Sequence, residues 1–140
     1  MQQSAIFGPF LAMMILTLAV WLLMYARRIA FLNSVELEAN EITPAKLAEI
    51  SPPAVANPSD NLKNLFEMPV LFYGLVLFLH GTVQVDTIYL IAAWAFFLLR
   101  VAHSVVHCTV NVVMLRFGIY AASSLVLWFM LLRGAVEFFG

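Results

Sequence analysis

Residues 88–108 have the sequence IYLIAAWAFFLLRVAHSVVHC, and this stretch decides how the rest of the chain is interpreted. Its first half is as apolar as a membrane-spanning helix, whereas its last third contains Arg100, His103 and His107. Helical spacing puts these three side chains on one stripe, with Ser104 beside Arg100. A charged side chain within the bilayer costs at least ~2.5 kcal/mol, so we expect the stripe to face a polar partner or a water-filled cavity.

The composition is that of a membrane protein. Of the 140 residues, 64% are hydrophobic and only 11% are charged, and the mean hydropathy is +0.96. A soluble domain would be about half apolar and a quarter charged. We therefore expect a single transmembrane domain over residues 1–140. The net charge of -1 excludes a nucleic-acid-binding surface, and the single cysteine, Cys108, excludes an internal disulfide.

Four apolar segments are long enough to cross ~30 Å of hydrocarbon, which takes about 20 helical residues. They cover residues 6–25, 62–79, 88–107 and 116–132. The fold class predicted from them is an all-α membrane protein, a bundle of four transmembrane helices. The first segment lacks the charged start and the cleavage site of a secretory signal, so we interpret it as a retained span. A polar loop covers residues 29–61, in which Thr43 and Pro44 predict the start of a short helix.

The distribution of basic residues predicts the orientation in the membrane. Only Arg133 falls on the face opposite the long loop. The basic residues on the loop face are Arg27, Arg28, Lys46, Lys63 and Arg116. The positive-inside rule therefore puts the loop in the cytoplasm and both termini outside, in the cytoplasmic membrane if the cell is bacterial.

The second span supplies a candidate partner for Arg100. It opens with LKNLFEMP, in which Asn64 and Glu67 are three residues apart and share a helix face. Counted from the cytoplasmic end at 1.5 Å per residue, Glu67 lies ~8 Å deep and Arg100 ~10 Å deep. We therefore predict a structural ion pair between Glu67 and Arg100, within one chain or between neighbouring chains. Pro69 removes a helical hydrogen bond and frees the carbonyl of Leu65 as a further acceptor.

The fourth span begins with Arg116 and, one turn later, Tyr120, so three spans contribute polar residues to one layer on the cytoplasmic side. The residues of this predicted layer are Asn64, Glu67, Arg100, His103, His107, Arg116 and Tyr120. Two simpler interpretations stay open. The Glu67–Arg100 pair can serve only to hold helices together, and Arg116 can extend to lipid phosphates.

A metal site is the less favoured interpretation of His103 and His107. Four residues apart, the two imidazoles can bind one metal ion, but a site needs one or two further ligands. Glu67 is the one acid nearby in the membrane, so we expect no metal. Cys108 next to His107 is either a reactive thiol or inert packing.

The motifs Asn64-x-x-Glu67, Arg100-Val-Ala-His103 and Arg116-x-x-x-Tyr120 resemble a known family. It is the MAPEG family, the membrane-associated proteins of eicosanoid and glutathione metabolism. The likeness covers residues 60–120 and is strongest for the branch of microsomal glutathione transferases and prostaglandin E synthases. The segment RVAHSVVH is its most specific part.

This resemblance implies a homotrimer of four-helix protomers that binds glutathione between adjacent subunits near the cytoplasmic surface. It implies that Asn64 and Glu67 hold the peptide, that the catalytic Arg116 favours the thiolate, and that Tyr120 lines the site. His103 and the neighbouring His107 are further candidates for contact with glutathione, while Arg100 is structural or lines the trimer interior.

The chain also departs from the family pattern. The family has a Glu-Arg pair and another arginine before the asparagine, and these arginines bind the carboxylates of glutathione. The same stretch here is AVANPSDNLKN, with Lys63 as its one base and Asp60 as an acid. Arg27 and Arg28 are the candidates to replace the missing cations. Phe117 stands where the prostaglandin-forming branch has a serine, so we do not expect prostaglandin isomerase activity.

The leading hypothesis is a glutathione transferase or peroxidase that acts on lipophilic substrates at the cytoplasmic membrane face. The alternative is a non-catalytic member of the family that binds a lipid or another anionic small molecule between subunits. A metal or haem protein using His103 and His107 is a third, weaker hypothesis.

Overall fold

The computed structural model describes residues 2–140, which form helices joined by turns and contain no strand. The α-helices are α1 (Phe7–Ser34), α2 (Pro44–Ile50), α3 (Pro53–Leu65), α4 (Met68–Gly81), α5 (Thr87–Cys108) and α6 (Val113–Phe139), with 3₁₀ turns at Gln3–Ile6 and Ala39–Glu41. The predicted all-α class is confirmed.

Four helical segments are long and apolar enough to span a membrane, and all exceed the ~20 residues required. They are Gln3–Ser34, Pro53–Gly81, Thr87–Cys108 and Val113–Phe139. Each is longer than the segment predicted for it, because the helices continue into the residues on both sides. We call the end of the bundle that carries residues 35–52 the loop end, and the opposite end, where α4 connects to α5, the far end.

The predicted short helix in the polar loop is present as α2. The Thr43 side chain accepts a hydrogen bond from the backbone N–H of Lys46 at 3.2 Å, and Pro44 occupies the first turn. Threonine satisfies an N–H that has no partner within the helix, and proline there loses no hydrogen bond.

The second span is broken between α3 and α4. Glu67 lies outside the helical region, with φ -97° and ψ -102°, and Pro69 occupies the first turn of α4. Proline has no N–H to donate and its ring clashes with the preceding turn. Pro69 therefore ends one helix and starts another, instead of removing a single hydrogen bond from a continuous helix.

The apolar core lies between the spans. Phe72 of α4 stacks on Phe96 of α5 with ring centroids 4.6 Å apart, and Met13 of α1 is fully buried beside them in the same cluster. Large apolar side chains of α1, such as Leu11 and Ile15, are exposed. Exposed apolar surface of this kind is suited to lipid or to another membrane helix.

The far end is held together by a network of charged residues. Asp86 caps α5 by accepting from the N–H of Tyr89 at 3.0 Å, and it receives two hydrogen bonds from Arg133, at 2.9 and 2.5 Å. Arg133 also pairs with Glu137 at 2.9 Å and lies over the Tyr89 ring. The Arg133 guanidinium lowers the pKa of Asp86 to about 2. The ends of α5 and α6 are thereby joined.

Asp86→Ala is expected to lower the free energy of unfolding by about 1–2 kcal/mol, because it removes a helix cap and a partly exposed ion pair. Because the pKa of Asp86 is lowered in the folded protein, its carboxylate contributes its full stabilisation at pH values above the ordinary pKa of 3.8. This stabilisation is lost as the pH falls to about 2. Thermal unfolding in detergent at several pH values measures both effects.

Glu49→Ala is the matched control, because it removes an exposed carboxylate 3.9 Å from Lys46. This variant should change stability by less than about 0.5 kcal/mol. Identical melting of Asp86→Ala and Glu49→Ala at neutral pH would contradict the structural role of the far-end network.

Candidate functional site

One face of α3 consists of asparagines. Asn57, Asn61 and Asn64 follow each other at intervals of four and three residues, so they point the same way. Asn61 is fully buried; it accepts a hydrogen bond from Ser104 Oγ at 3.3 Å and donates to Cys108 Sγ at 3.6 Å. A buried amide needs such partners, so this face fixes α3 against α5.

Arg100 lies at the centre of the site. Its side chain is fully buried, and Nη2 donates to the carbonyl oxygen of Asn64 at 3.3 Å. The Nε and Nη1 atoms are also buried, and neither has a hydrogen-bond partner among residues 2–140. The guanidinium carbon lies 5.7 Å from the centre of the Tyr120 ring. Arg100 is thus a buried cation whose Nε and Nη1 groups can still donate hydrogen bonds to a ligand.

The predicted ion pair between Glu67 and Arg100 is not formed within the chain. Glu67 is exposed and takes part in no salt bridge in the described part of the chain. The reason is the break at Glu67, since the side chain of a residue outside the helix does not follow the helical face of Asn64. Arg100 donates instead to the backbone carbonyl of Asn64.

The two histidines of α5 lie next to each other. The rings of His103 and His107 are 5.6 Å apart and nearly perpendicular, and His103 is 6.1 Å from the Tyr120 ring. Both residues are buried, and the Nδ1 atom of each has no hydrogen-bond partner within residues 2–140. The same range contains no group of three His, Cys, Asp or Glu side chains arranged to hold a metal ion.

Arg116 is held by the turn that precedes α6. Its Nη1 atom donates to Asn111 Oδ1 at 2.6 Å, and Asn111 Nδ2 donates to Asn57 Oδ1 at 3.2 Å. Asn111 has a φ of 47°, a left-handed conformation that asparagine tolerates. The half-buried Arg116 is therefore connected to the asparagine face of α3.

Arg27 has a structural role. Its Nη1 atom donates to the carbonyls of Ala54 at 2.9 Å and Cys108 at 3.3 Å. Pro58 lies inside α3 four residues after Ala54 and has no N–H for that carbonyl, while Cys108 is the last residue of α5. Arg27 satisfies both acceptors, which ties α1 to α3 and α5.

Arg28 instead lines a cavity of about 330 Å³ on the other side of α3. It donates to Ser59 Oγ at 3.0 Å, and Lys63 pairs with Asp60 across 3.2 Å at the rim. The outer wall is formed by apolar residues of α2 such as Leu47. Arg28 forms no salt bridge with any described residue, so the cavity has one cation in excess.

A second, apolar groove of about 470 Å³ runs between α4 and α6. Gly74 and Leu75 of α4 and Trp128 of α6 are among its lining residues. A side chain at Gly74 would project into open space, so the glycine widens this groove. The groove is suited to an alkyl chain or another apolar group.

The structure brings together most of the residues that the sequence singled out. Arg100, His103, His107 and Tyr120 form one cluster; Asn64 joins it through its backbone, and Glu67 does not. Arg116 contacts Asn111 at the same end of the bundle. Cations and hydrogen-bond donors predominate, which makes the loop end a candidate anion-binding site.

Sequence reasoning missed the asparagines Asn57, Asn61 and Asn111. The spacing of the asparagines in α3 was a usable signal, because 57, 61 and 64 recur with the helical period. Asn111 carried no comparable signal, since only the turn geometry brings it to Arg116.

The family model of the MAPEG family matches residues 6–136, nearly the whole chain. No curated protein and no solved structure matches the chain.

Arg100→Met is expected to leave the free energy of unfolding unchanged within about 1 kcal/mol, or to raise it. The substitution loses one hydrogen bond, worth about 1.5–3 kcal/mol, but removes a buried charge whose desolvation costs several kcal/mol. Asn61→Ala is the comparison, because it leaves Ser104 without its acceptor and should cost about 1–3 kcal/mol. Thermal unfolding in detergent would contradict this ranking if Arg100→Met were the less stable variant.

Proposed function

Since the chain belongs to the MAPEG family, we propose that it is a glutathione-dependent transferase or peroxidase acting on lipophilic substrates. Family membership makes it a multi-pass membrane protein of the group that acts in glutathione and eicosanoid metabolism. The observation that carries the finer proposal is the excess of cationic donors at the loop end, above all the buried Arg100. A tripeptide with two carboxylates and a thiol that can ionise is a ligand suited to such a site.

The residues at the loop end fit the groups that glutathione carries. Arg28, without a salt-bridge partner in the described residues, offers a cation for a carboxylate of glutathione, in place of the family arginines that this sequence lacks. Because Arg28 and Arg116 lie on different sides of α3, a peptide bound between adjacent subunits would contact them on two neighbouring subunits. Glu67 offers a carboxylate, without a partner in the described residues, for the free amine. The proposal assigns sulfur stabilisation to Arg116.

Glutathione would supply a thiol that becomes a nucleophile on losing its proton. A free thiol has a pKa near 8.5, so it is mostly protonated at neutral pH. The guanidinium of Arg116 favours the charged form, and every unit by which the thiol pKa falls corresponds to about 1.36 kcal/mol. His103, His107 and Tyr120 would line the site as hydrogen-bonding groups.

The proposal includes a lateral route for the second substrate. The apolar groove between α4 and α6 and the exposed apolar side chains of α1 suit a molecule that partitions into lipid. The proposed arrangement is a homotrimer with its loop end in the cytoplasm, where glutathione is available. Chemistry near the membrane surface then gives one protein access to both a water-soluble thiol and a lipophilic partner.

The alternative function is the binding of a lipid or another anionic small molecule between subunits, without catalysis. It is favoured by the same unpartnered donors of Arg100 and by the loss of the family arginines before Asn64. In that case the apolar groove would hold an acyl chain beside the cationic site.

Isothermal titration of the detergent-solubilised protein with glutathione tests the leading function. The wild type should bind, whereas Arg28→Gln should bind ten-fold or more weakly, because it loses a charge-assisted contact worth about 1.5–3 kcal/mol. Arg116→Ala should mainly lower the rate of conjugation to an aryl halide, by ten-fold or more at pH 7, because the thiolate is less populated.

Lys46→Gln is the matched control for loss of a cation at the loop end, since among residues 2–140 Lys46 pairs only with the exposed Glu49. It should change neither binding nor rate. Absence of binding by the wild type at millimolar glutathione would refute the proposal.

Native mass spectrometry separates the two functions. The binding protein without catalysis should carry a co-purified anionic lipid that is lost in Arg100→Met, and it should not take up glutathione. A lipid-free protein that gains the mass of glutathione supports the enzyme and contradicts the alternative.

A further inference from the structure

Arg116 is held by the side-chain amide of Asn111, which is uncharged and therefore does not neutralise the guanidinium. Arg133, at the other end of α6, differs in this respect: it pairs with two carboxylates, whereas Arg116 contacts the Asn111 side chain. A carboxylate neutralises a guanidinium, whereas an amide oxygen orients it and leaves its charge in place. We propose that Asn111 is a positioning residue that aims Arg116 while keeping its positive charge available to a bound anion.

The direction of the hydrogen bonds in this chain follows from chemistry. A guanidinium can only donate, so the Asn111 side chain must present its oxygen to Arg116. Its amino group is then directed at Asn57, whose oxygen accepts. The chain Arg116–Asn111–Asn57 therefore has one possible orientation, which defines where the guanidinium lies relative to α3.

The backbone explains why this anchor is a small polar residue. Asn111 adopts φ 47°, where asparagine and aspartate are several-fold enriched among the residues other than glycine. Aspartate would fit the same backbone and accept the same hydrogen bond. Aspartate replaces the amino group that donates to Asn57 with a second oxygen, and Asn57 can turn its own amino group toward that oxygen. The main difference at Arg116 is then the added negative charge, which makes Asn111→Asp a sharp test of the second half of the proposal.

Asn57 extends the anchor to the rest of the site. It lies on the face of α3 that also carries Asn61, which is bonded to α5, and Asn64, whose carbonyl accepts from Arg100. The two arginines are therefore positioned against a single helix. Arg116 would then be held at a defined position relative to Arg100 when an anion binds. Without this anchor, the Arg116 side chain would be free to extend to lipid headgroups.

The inference deepens the proposed function and rests on it for the identity of the anion, which would be the thiolate of glutathione. The positioning of Arg116 can be measured without any ligand. The experiment therefore has one arm that is independent of glutathione and one that uses it.

The first arm uses nitrogen-15 NMR of the arginine guanidinium groups in the detergent-solubilised protein. The chain has five arginines, at 27, 28, 100, 116 and 133, and Arg116→Lys identifies the signal of interest. Slow rotation of the Arg116 guanidinium is expected in the wild type and in Asn111→Asp, and fast rotation in Asn111→Ala. Fast rotation in the wild type, or slow rotation in Asn111→Ala, would overturn the positioning role.

The second arm measures the thiolate of bound glutathione by its ultraviolet absorbance as a function of pH. Asn111→Asp should raise the apparent pKa of the thiol by about one unit, a ten-fold loss of thiolate at neutral pH. The other ionisable groups at the loop end are the same in every variant; they include Arg28, Asp60, Lys63, Glu67, Arg100, His103, His107 and Tyr120. If the apparent pKa of the thiol were unchanged in Asn111→Asp, the proposal that Asn111 keeps the charge of Arg116 available to the anion would be wrong.

The two arms keep the failures apart. If the wild type binds no glutathione, the proposed function fails, and the NMR result still decides whether Asn111 positions Arg116. Asn57→Ala provides a second variant should Asn111→Ala fold poorly. It leaves the Asn111–Arg116 contact but removes its support, so it should speed guanidinium rotation to a smaller extent than Asn111→Ala.

Discussion

The structure depends on the contact between the polar face of α3 and the last turns of α5. Within a membrane a buried polar group has no water to bind, so it must find its partners inside the protein. Asn61 is the hydrogen-bond partner of Ser104 and of the Cys108 thiol. Arg27 donates to two carbonyls that have no helical N–H partner, that of Ala54 because of Pro58 and that of Cys108 at the end of α5. These contacts hold the loop ends of α1, α3 and α5 together and create the polar interior in which Arg100 lies.

The arginines at the two ends of the bundle have different kinds of partner. At the far end Arg133 is matched by Asp86 and Glu137, which gives a stable junction with no cation to spare. At the loop end Arg100 and Arg116 meet a carbonyl and an amide, so their charges are retained. Burying an uncompensated charge costs free energy, and a protein gains from it where the charge binds a ligand. This asymmetry is the physical reason for proposing a binding site at the loop end.

The break in the second span separates two tasks that one continuous helix would combine. α4 is apolar and packs through Phe72 into the core, while α3 is polar on both sides. One side of α3 faces α5, and the other, with Ser59 and Lys63, faces the cavity that Arg28 lines. Pro69 favours this division, because proline suits the first turn of a helix and interrupts a helix that precedes it. Glu67 is left at the break, exposed and available to a ligand.

The sequence alone was enough to predict the number of spans, the helical class and the short helix at Thr43, because apolar segments of about 20 residues and a capping threonine are local signals. It also indicated that Arg100, His103 and His107 share a stripe, since that follows from helical spacing. Only the tertiary structure decided which groups these side chains meet. The exposure of Glu67 depends on a backbone break, and the contact of Arg116 with Asn111 depends on a left-handed turn, neither of which changes the spacing of residues along the chain. Contacts between residues on three different helices depend on how the helices pack, and local patterns in the sequence do not predict them.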